Sequence, residues 1–136
     1  MRDLRKVLGK LGVNGSVIFL GENFDKISLP SGERINFRDI EKCRAKYVGE
    51  RKNWKMYDAV VMINPSFNYW RDELAWCLAL SALDYVLKNT AVVVGVVDKD
   101  NLNDLRERFY LHHFYVQPEK RSGKNYVLTG NIGPLN

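Results

Sequence analysis

Short apolar segments are spaced along the chain in a way that predicts an α/β domain. Four of them, at residues 16–20, 34–40, 57–63 and 91–97, have the length and composition of β-strands. The last two are apolar almost throughout, which is typical of strands buried on both faces of a parallel sheet. We therefore expect strands 57–63 and 91–97 to run parallel, as neighbours or near neighbours in one sheet.

Helical periodicity occurs between the last two of these strands, at the start of the chain and after the fourth strand. Residues 71–88 place apolar side chains around most of a helix and leave one narrow polar stripe, so this helix is expected to pack deeply against the sheet. A strand, a long helix and a second strand predict a right-handed βαβ crossover. A short helix that starts near Leu4 and stops at Gly12 is predicted to open the chain, and another is predicted over residues 101–112.

The last part of the chain predicts an antiparallel edge. Residues 114–116 and 125–129 have strand character and are separated by a turn at residues 118–124. The expected architecture is a three-layer α/β fold with a mostly parallel sheet and an antiparallel C-terminal edge. A chain of 136 residues has the size of one domain, so we expect residues 1–136 to form a single domain.

The composition is that of a globular protein, with 46% hydrophobic and 27% charged residues, which excludes disordered classes. The longest apolar run, residues 91–97, is far shorter than the roughly 20 residues that span a bilayer. Cys43 and Cys77 are distant in sequence and predict reduced thiols. The adjacent His112 and His113 have no third ligand nearby, so no metal site is expected. We expect a cytoplasmic protein that does not associate with membranes.

Basic residues are concentrated in three places within a net charge of +5. Residues 1–10 contain four Lys and Arg against one Asp, and a further cluster lies at residues 120–124. Residues 41–57 contain six Lys and Arg against two Glu, interleaved with aromatic residues. Cations mixed with aromatic rings favour nucleic acid, because cations neutralise phosphates and rings stack on bases. The alternative is a solvated basic surface without a ligand. The candidate nucleic-acid-binding residues are Arg51, Lys52, Lys55, Lys120, Arg121 and Lys124.

Candidate chemistry lies where the predicted parallel strands end, since open α/β sheets bind ligands at the carboxyl ends of their strands. Gly21, Asp39 and Asn64 stand at three such ends. The segment Asn64-Pro65-Ser66-Phe67 resembles the (D/N/S)PP(Y/F) motif of S-adenosylmethionine-dependent amino-methyltransferases. The resemblance implies that Asn64 and the carbonyl of Pro65 accept hydrogen bonds from a target amine, while Phe67 stacks on the flipped base. Ser66 replaces the second proline, and an ordinary Asn-Pro turn is the structural alternative.

The order of elements from residue 35 onward also resembles Rossmann-fold methyltransferases, particularly the FtsJ-like ribose 2′-O-methyltransferases. The similar segments, in chain order, are INFRDI, YDAVVMIN, ALDYVLKN, AVVVGVV, LNDLRERF and PEKRSGKNYVLTG. The resemblance implies a Rossmann-like fold and S-adenosylmethionine as cofactor. Gly21, Asp39 and Asn64 would bind that cofactor, with Asp39 at the position where the family's acid contacts the adenine.

Departures from that family argue against its ribose chemistry. Asn64 stands at or beside the position of the catalytic Asp, residues 91–97 lack the expected Lys, and Lys124 stands near the expected Glu. Asn and Lys cannot replace two carboxylate acceptors. The first strand is followed by a single glycine, and residues 21–56 leave room for about one βα unit fewer than usual. The sequence therefore favours a minimal methyltransferase-like protein that acts on nucleic acid such as RNA, by amino-methylation.

Two other functions stay open. The same fold without catalysis would be a nucleic-acid-binding or partner subunit, in a homo- or hetero-oligomer that supplies the absent βα unit. The segments DAVV at residues 58–61 and RDELA at residues 71–75 are also distantly similar to nucleoside deoxyribosyltransferases. In that case Glu73 would attack the sugar, whereas the structural alternative for Glu73 is an acid in the first turn of a helix.

Overall fold

The computed structural model describes residues 6, 9–10, 15–21, 32–36, 39–52, 54–63, 83–111 and 114–131. Four strands come first in these ranges: β1 (Val17–Gly21), β2 (Glu33–Asn36), β3 (Tyr57–Ile63) and β4 (Leu87–Asp98). Helix α1 (Ile40–Glu50) lies between β2 and β3 in the chain, and helix α2 (Lys99–Leu111) follows β4. Three further strands are β5 (Tyr115–Val116), β6 (Lys120–Ser122) and β7 (Asn125–Asn131).

The described strands form one sheet in the order β2-β1-β3-β4-β7-β5, and β6 also pairs with β7. β1 is parallel to β2 and β3, and β3 is parallel to β4, with Val60 opposite Val93. β7 is antiparallel to β4, β5 and β6. The predicted Rossmann-like α/β fold, with a mostly parallel sheet and an antiparallel C-terminal edge, is therefore confirmed. The predicted parallel pairing of strands 57–63 and 91–97 is confirmed as well.

Both faces of the sheet are buried, as the continuous apolar strands predict. On one face Met62 and Val93 pack in a cluster with Tyr47 of α1 and Leu105 of α2. Residues 83–86 are helical, and the buried side chains there belong to the same cluster. The opposite face carries a second cluster, built from alternate strand residues: Val17, Phe19, Ala59, Val61, Ile63, Val94, Val96 and Val127. Helices α1 and α2 and the helical residues 83–86 thus pack on the same side of the sheet.

The structure corrects the second predicted strand. β2 ends at Asn36, and Asp39 is the N-cap of α1, so the prediction of a strand over residues 34–40 was wrong at its end. The apolar residues at positions 40, 43 and 47 have the spacing of a helix. The alternation of residues 34–37, which is the pattern of a strand, runs directly into that helical spacing and conceals the boundary.

Other boundaries shift by smaller amounts. The helix predicted over residues 71–88 ends at residue 86, where β4 begins earlier than predicted, and residues 71–82 lie outside the described ranges. α2 covers residues 99–111 where residues 101–112 were predicted. The predicted turn at residues 118–124 contains the strand β6. Within the predicted opening helix, the described residues 6, 9 and 10 are helical.

Candidate functional site

The carboxyl ends of the four parallel strands lie at one edge of the sheet, which we call the carboxyl edge. Gly21 ends β1 and lies opposite Asn36 at the end of β2 and Ile63 at the end of β3. The chain passes from β1 to β2 on one side and then to β3 on the other side of β1. Open α/β sheets bind ligands at such a reversal of strand order. The candidate site therefore lies at the ends of β1 and β3.

Gly21 is required by the close approach of two backbones. A Cβ on Gly21 would lie 2.3 Å from the carbonyl oxygen of Ile63 and 3.3 Å from the Cβ of Ile63. The first distance is far below van der Waals contact, so any larger residue would force β1 and β3 apart. Strand packing alone thus explains the glycine at this position.

Asp39 lies at the carboxyl edge, three residues after the end of β2, and its side chain is exposed. It is the N-cap of α1, a position where an Asp side chain usually accepts a hydrogen bond from the first turn. Here the side chain makes no such bond. Its carboxylate oxygens are therefore not used to cap their own helix, and they can accept hydrogen bonds from hydroxyl or amine groups of a ligand.

Asp98 and Asn101 form a pair at the carboxyl edge that sequence reasoning missed. Oδ1 of Asp98, the last residue of β4, accepts the backbone N–H of Asn101 at 3.0 Å and its side-chain amide at 2.9 Å. These bonds fix the start of α2 in the manner of an Asp N-cap. Oδ1 of Asn101 is buried and has no hydrogen-bond partner among the described residues. An Asp between a buried strand and a helix is the sequence signal that would have found this cap.

The β6–β7 hairpin brings the C-terminal basic cluster to the same edge. Asn125, which begins β7, lies opposite Asp98 in the sheet. In the turn before it, Gly123 has a φ of 61°, and its carbonyl accepts a hydrogen bond from Nε of Arg121 at 3.1 Å. The turn therefore projects at the carboxyl edge. Three sequence-predicted cations in this hairpin are exposed: Lys120, Arg121 and Lys124.

An ion pair connects α2 to the chain just before β6. The guanidinium of Arg106 lies 3.0 Å from the Oε2 of Glu119. The backbone N–H of Glu119 and then the Arg106 side chain hold the pKa of the Glu119 carboxyl below its ordinary value of 4.5. This contact helps to hold the basic hairpin against α2.

The remaining predicted nucleic-acid-binding residues lie at the opposite edge, the amino edge, where the parallel strands begin. α1 runs back across the sheet, and Arg51, Lys52 and Lys55 follow its end shortly before β3 starts. The Lys55 N–H donates to the carbonyl of Tyr85 at 3.0 Å, close to the start of β4. The two basic clusters are thus separated by the length of a strand such as β3, which is about 20 Å at 3.3 Å per residue.

An ion pair also joins three strand starts at the amino edge. Oδ1 of Asp58 in β3 accepts a hydrogen bond from the Lys88 Nζ of β4 at 2.7 Å, and Oδ2 accepts one from the N–H of Ser16 at 2.9 Å. The Lys88 hydrogen bond lowers the pKa of Asp58 below 3.8, partial burial opposes this effect, and the Ser16 N–H adds to it. The pair fixes the relative positions of β1, β3 and β4.

The residues of the methyltransferase-like motif lie outside the described part of the chain. Asn64 follows Ile63 in sequence, but Asn64, Pro65, Phe67 and the alternative nucleophile Glu73 are not among the described residues. Their catalytic roles stay predictions. What the structure describes is the point where the chain leaves β3, at the carboxyl edge and opposite Gly21.

Two further properties concern only the residues that the structure describes. None of their helices is long and apolar enough to cross a membrane. No group of three or more His, Cys, Asp and Glu side chains among them is arranged to hold a metal ion.

Neither a protein-family model nor a curated protein matches the chain, but solved structures are similar to it. A S-adenosylmethionine-dependent methyltransferase from Aquifex aeolicus matches with a TM-score of 0.61 and 14% identity, over 95% of this chain and 89% of that one. The 1,6-didemethyltoxoflavin-N1-methyltransferase of Burkholderia thailandensis, solved with bound S-adenosylhomocysteine, matches with a TM-score of 0.56 and 13% identity, over 93% and 75% of the two chains. A possible histamine N-methyltransferase from Thermotoga maritima has a TM-score of 0.53, 12% identity and coverages of 94% and 87%.

These similarities are between backbone folds. Sequence identities of 12–14% give no information on the substrate. The similarities extend over 93–95% of the chain. The chain has the Rossmann-like α/β fold that is found in S-adenosylmethionine-dependent methyltransferases.

Proposed function

We propose that the chain is a S-adenosylmethionine-dependent methyltransferase-like protein that acts on nucleic acid, with its cofactor at the carboxyl edge. The observation that carries this proposal is the likeness to a S-adenosylmethionine-dependent methyltransferase across 95% of the chain. The reversal of strand order at Gly21 and Ile63 supports this location, because open α/β sheets bind ligands at such a point. Since one fold hosts many functions, the residues at that place must support the assignment.

Two observations support the fit of an adenosyl group to this edge. The carboxylate of Asp39 is not used to cap α1, and it is suited to accept hydrogen bonds from the hydroxyl or amino groups of such a ligand. Gly21 offers a backbone without a side chain at the end of β1. The cofactor, when bound, supplies an electrophilic methyl group. The chain's own residues would bind it, orient it and hold the target amine.

The target amine would donate hydrogen bonds to Asn64 and to the carbonyl of Pro65, and the target base would stack on Phe67. These residues follow β3 directly in the chain. The β6–β7 hairpin supports a nucleic-acid target, because its exposed Lys120, Arg121 and Lys124 lie at the same edge and can neutralise phosphates.

The second candidate function is nucleic-acid binding without methyl transfer. The geometry at Gly21 favours this candidate. The nearby Ile63 carbonyl leaves no room for a side chain at this position, so the glycine is explained without a bound cofactor. Binding without catalysis also does not require a catalytic Asp at the position that Asn64 occupies. The two candidates differ in one property, since only the methyltransferase must bind S-adenosylmethionine.

A thermal-shift measurement with S-adenosylmethionine and with S-adenosylhomocysteine separates them. A ligand that binds only the folded state at a hundredfold excess over its Kd stabilises that state by about 2.7 kcal/mol. In a domain of this size the melting midpoint rises by several degrees. We expect that rise in the parent protein and a smaller one in Asp39→Ala.

The matched control is Asp84→Ala, which removes an exposed aspartate from the helical segment at the amino edge. It should leave the ligand-induced shift unchanged. Phe67→Ala removes the ring assigned to base stacking, so it should keep the shift and reduce transfer of labelled methyl groups to RNA or DNA. If millimolar S-adenosylmethionine leaves the midpoint unmoved, the chain is not a methyltransferase and the second candidate stands.

A further inference from the structure

The loop between α1 and β3 presents an exposed tryptophan among cations at the amino edge. Its described residues are Arg51, Lys52, Trp54, Lys55 and Met56. The Trp54 side chain is 65% exposed. The Nζ of Lys55 lies 5.9 Å from the centroid of the Trp54 ring, within the range of a cation–π contact. A large aromatic ring is thus left in solvent beside a positive charge.

Hydrogen bonds hold this loop in a defined shape. The N–H of Lys52 donates to the carbonyl of Tyr47 at 2.8 Å, and the N–H of Lys55 donates to the carbonyl of Tyr85 at 3.0 Å. The Nζ of Lys55 also donates to the side-chain oxygen of Asn89 at 2.9 Å. The ring therefore stands on a loop that is anchored both to α1 and to the segment that enters β4.

Two residues of the loop adopt left-handed backbone conformations that favour glycine. Arg51 has a φ of 54° and Lys55 a φ of 48°. A non-glycine residue in this region is strained, and such strain persists where the surroundings impose it and often marks a functional segment. Both strained positions carry a cationic side chain, and Arg51 occupies the helix-terminating position that most often holds glycine.

The loop that carries Trp54 is cationic, because residues 51–56 contain three Lys and Arg and no Asp or Glu. Arg51 and Lys52 are exposed. The side chain of Lys52 is 67% exposed and pairs with Glu50 at 3.1 Å, the acidic group closest in sequence. A polyanion with flat rings complements this surface better than an apolar protein segment does, because it matches both the cations and the ring.

We infer that Trp54, together with Arg51, Lys52 and Lys55, is a stacking site for single-stranded nucleic acid, separate from the carboxyl edge. A base stacks on the exposed ring, and the flanking cations contact the phosphates on either side. A single strand is required because the bases of a duplex are already stacked on each other. The inference rests on the nucleic-acid half of the proposed function and needs no cofactor.

The test measures fluorescence anisotropy of labelled oligo(dT) and oligo(U) without S-adenosylmethionine, in the full chain. Loss of one base–aromatic stack weakens binding about five- to 150-fold, so we expect a loss in this range for Trp54→Ala. Trp54→Phe keeps a stacking ring and should stay close to the parent. Tyr110→Ala is the matched control, because Tyr110 is 63% exposed on α2 and lies outside this cluster.

The salt dependence tests the cations of the same site. The logarithm of affinity should fall linearly with the logarithm of salt concentration, and Arg51→Ala with Lys52→Ala should reduce the slope by about 1.4, from about 0.7 for each lost phosphate contact on a single strand. The matched double variant at the other edge, Lys120→Ala with Arg121→Ala, should leave the Trp54-dependent part of the affinity in place.

Three results would overturn the inference: no oligonucleotide binding at low salt, an unchanged affinity in Trp54→Ala, or equal displacement of the oligonucleotide by polyglutamate. The last result would assign the surface to an acidic polypeptide. Failure of S-adenosylmethionine to bind would remove the proposed methyl transfer and leave the stacking site intact, so the two failures are distinguishable.

Discussion

Gly95 offers a direct test of how α2 packs on the sheet that carries the candidate site. Gly95 lies in β4, opposite Met62 of β3 and Leu128 of β7, so its backbone is held on both sides. A Cβ at this position would lie 2.2 Å from Cδ2 of Leu105 in α2 and 3.2 Å from its Cγ. Leu105 is fully buried and cannot move its side chain into solvent.

Gly95→Ala should therefore destabilise the protein. Overpacking a filled core costs about 1–3 kcal/mol, and the reduced backbone freedom of the unfolded chain returns about 0.5–1 kcal/mol. The net loss in the free energy of unfolding should be about 1 kcal/mol. In a urea titration with a slope of about 2 kcal/mol per molar, the midpoint then falls by roughly 0.5 M.

The double variant gives the sharper result. Leu105→Ala alone leaves a cavity and costs about 2–5 kcal/mol. It also removes Cγ and Cδ2, the atoms that obstruct a methyl group at position 95, so that group then fills part of the cavity. The double variant should therefore lose less free energy of unfolding than the two single variants together, by about 1 kcal/mol or more.

Gly49→Ala is the matched control for this cycle. Gly49 lies in α1, and a Cβ there would meet no atom within 4 Å. The same substitution should stabilise the protein there, by up to about 1 kcal/mol, because Ala is the better helix former. A Gly95→Ala protein as stable as the parent, or strictly additive losses in the double variant, would refute the packing of α2 on β4 described above.

Two further predictions concern the amino edge. Arg51→Gly should be more stable than Arg51→Ala by about 0.5–1 kcal/mol, because both remove the charge but only glycine relieves the left-handed backbone; equal urea midpoints would contradict this account. Lys88→Met should lower stability at neutral pH by about 0.5 kcal/mol. Because the folded state lowers the pKa of Asp58 below 3.8, that stabilisation is present above pH 3.8 and disappears as the pH falls through the folded-state pKa. Urea titrations of parent and variant should therefore converge in acid, and a difference that persists there would refute the assigned role of the pair.

The parallel core of the fold could be predicted because its strands have strong signals of their own. The third strand was predicted at its observed bounds, Tyr57–Ile63, since an apolar run between polar residues allows little shift. β6 gave no such signal, because Lys120–Ser122 consists only of polar residues and is a strand through its pairing with β7. No helix was predicted over Ile40–Glu50, because the alternation of β2 runs directly into the helical spacing of α1.

The location of the candidate site could also be predicted, because it depends mainly on the parallel strands. Gly21 does lie at the carboxyl edge, and Asp39 lies close to it although the strand that was predicted to carry it ends earlier. The placement of the basic cluster could not be predicted without α1. The sequence predicted a strand over residues 34–40 and no helix after it. Without a helix that crosses the sheet, nothing indicated that residues 51–55 lie at the amino edge.

The distance between the basic residues 51–55 and the basic residues 120–124 limits which ligands can contact both clusters. Asp39 and Arg51 are close in sequence, but the 11 residues of α1 between them carry the chain about 16 Å across the sheet. A nucleotide or other small substrate bound at the carboxyl edge cannot also contact Trp54. A polymer can, because it extends from the ring at the amino edge to the hairpin cations at the other end. The proposed nucleic-acid target would therefore be a strand rather than a free nucleotide, and its affinity is predicted to rise with strand length until both edges are occupied.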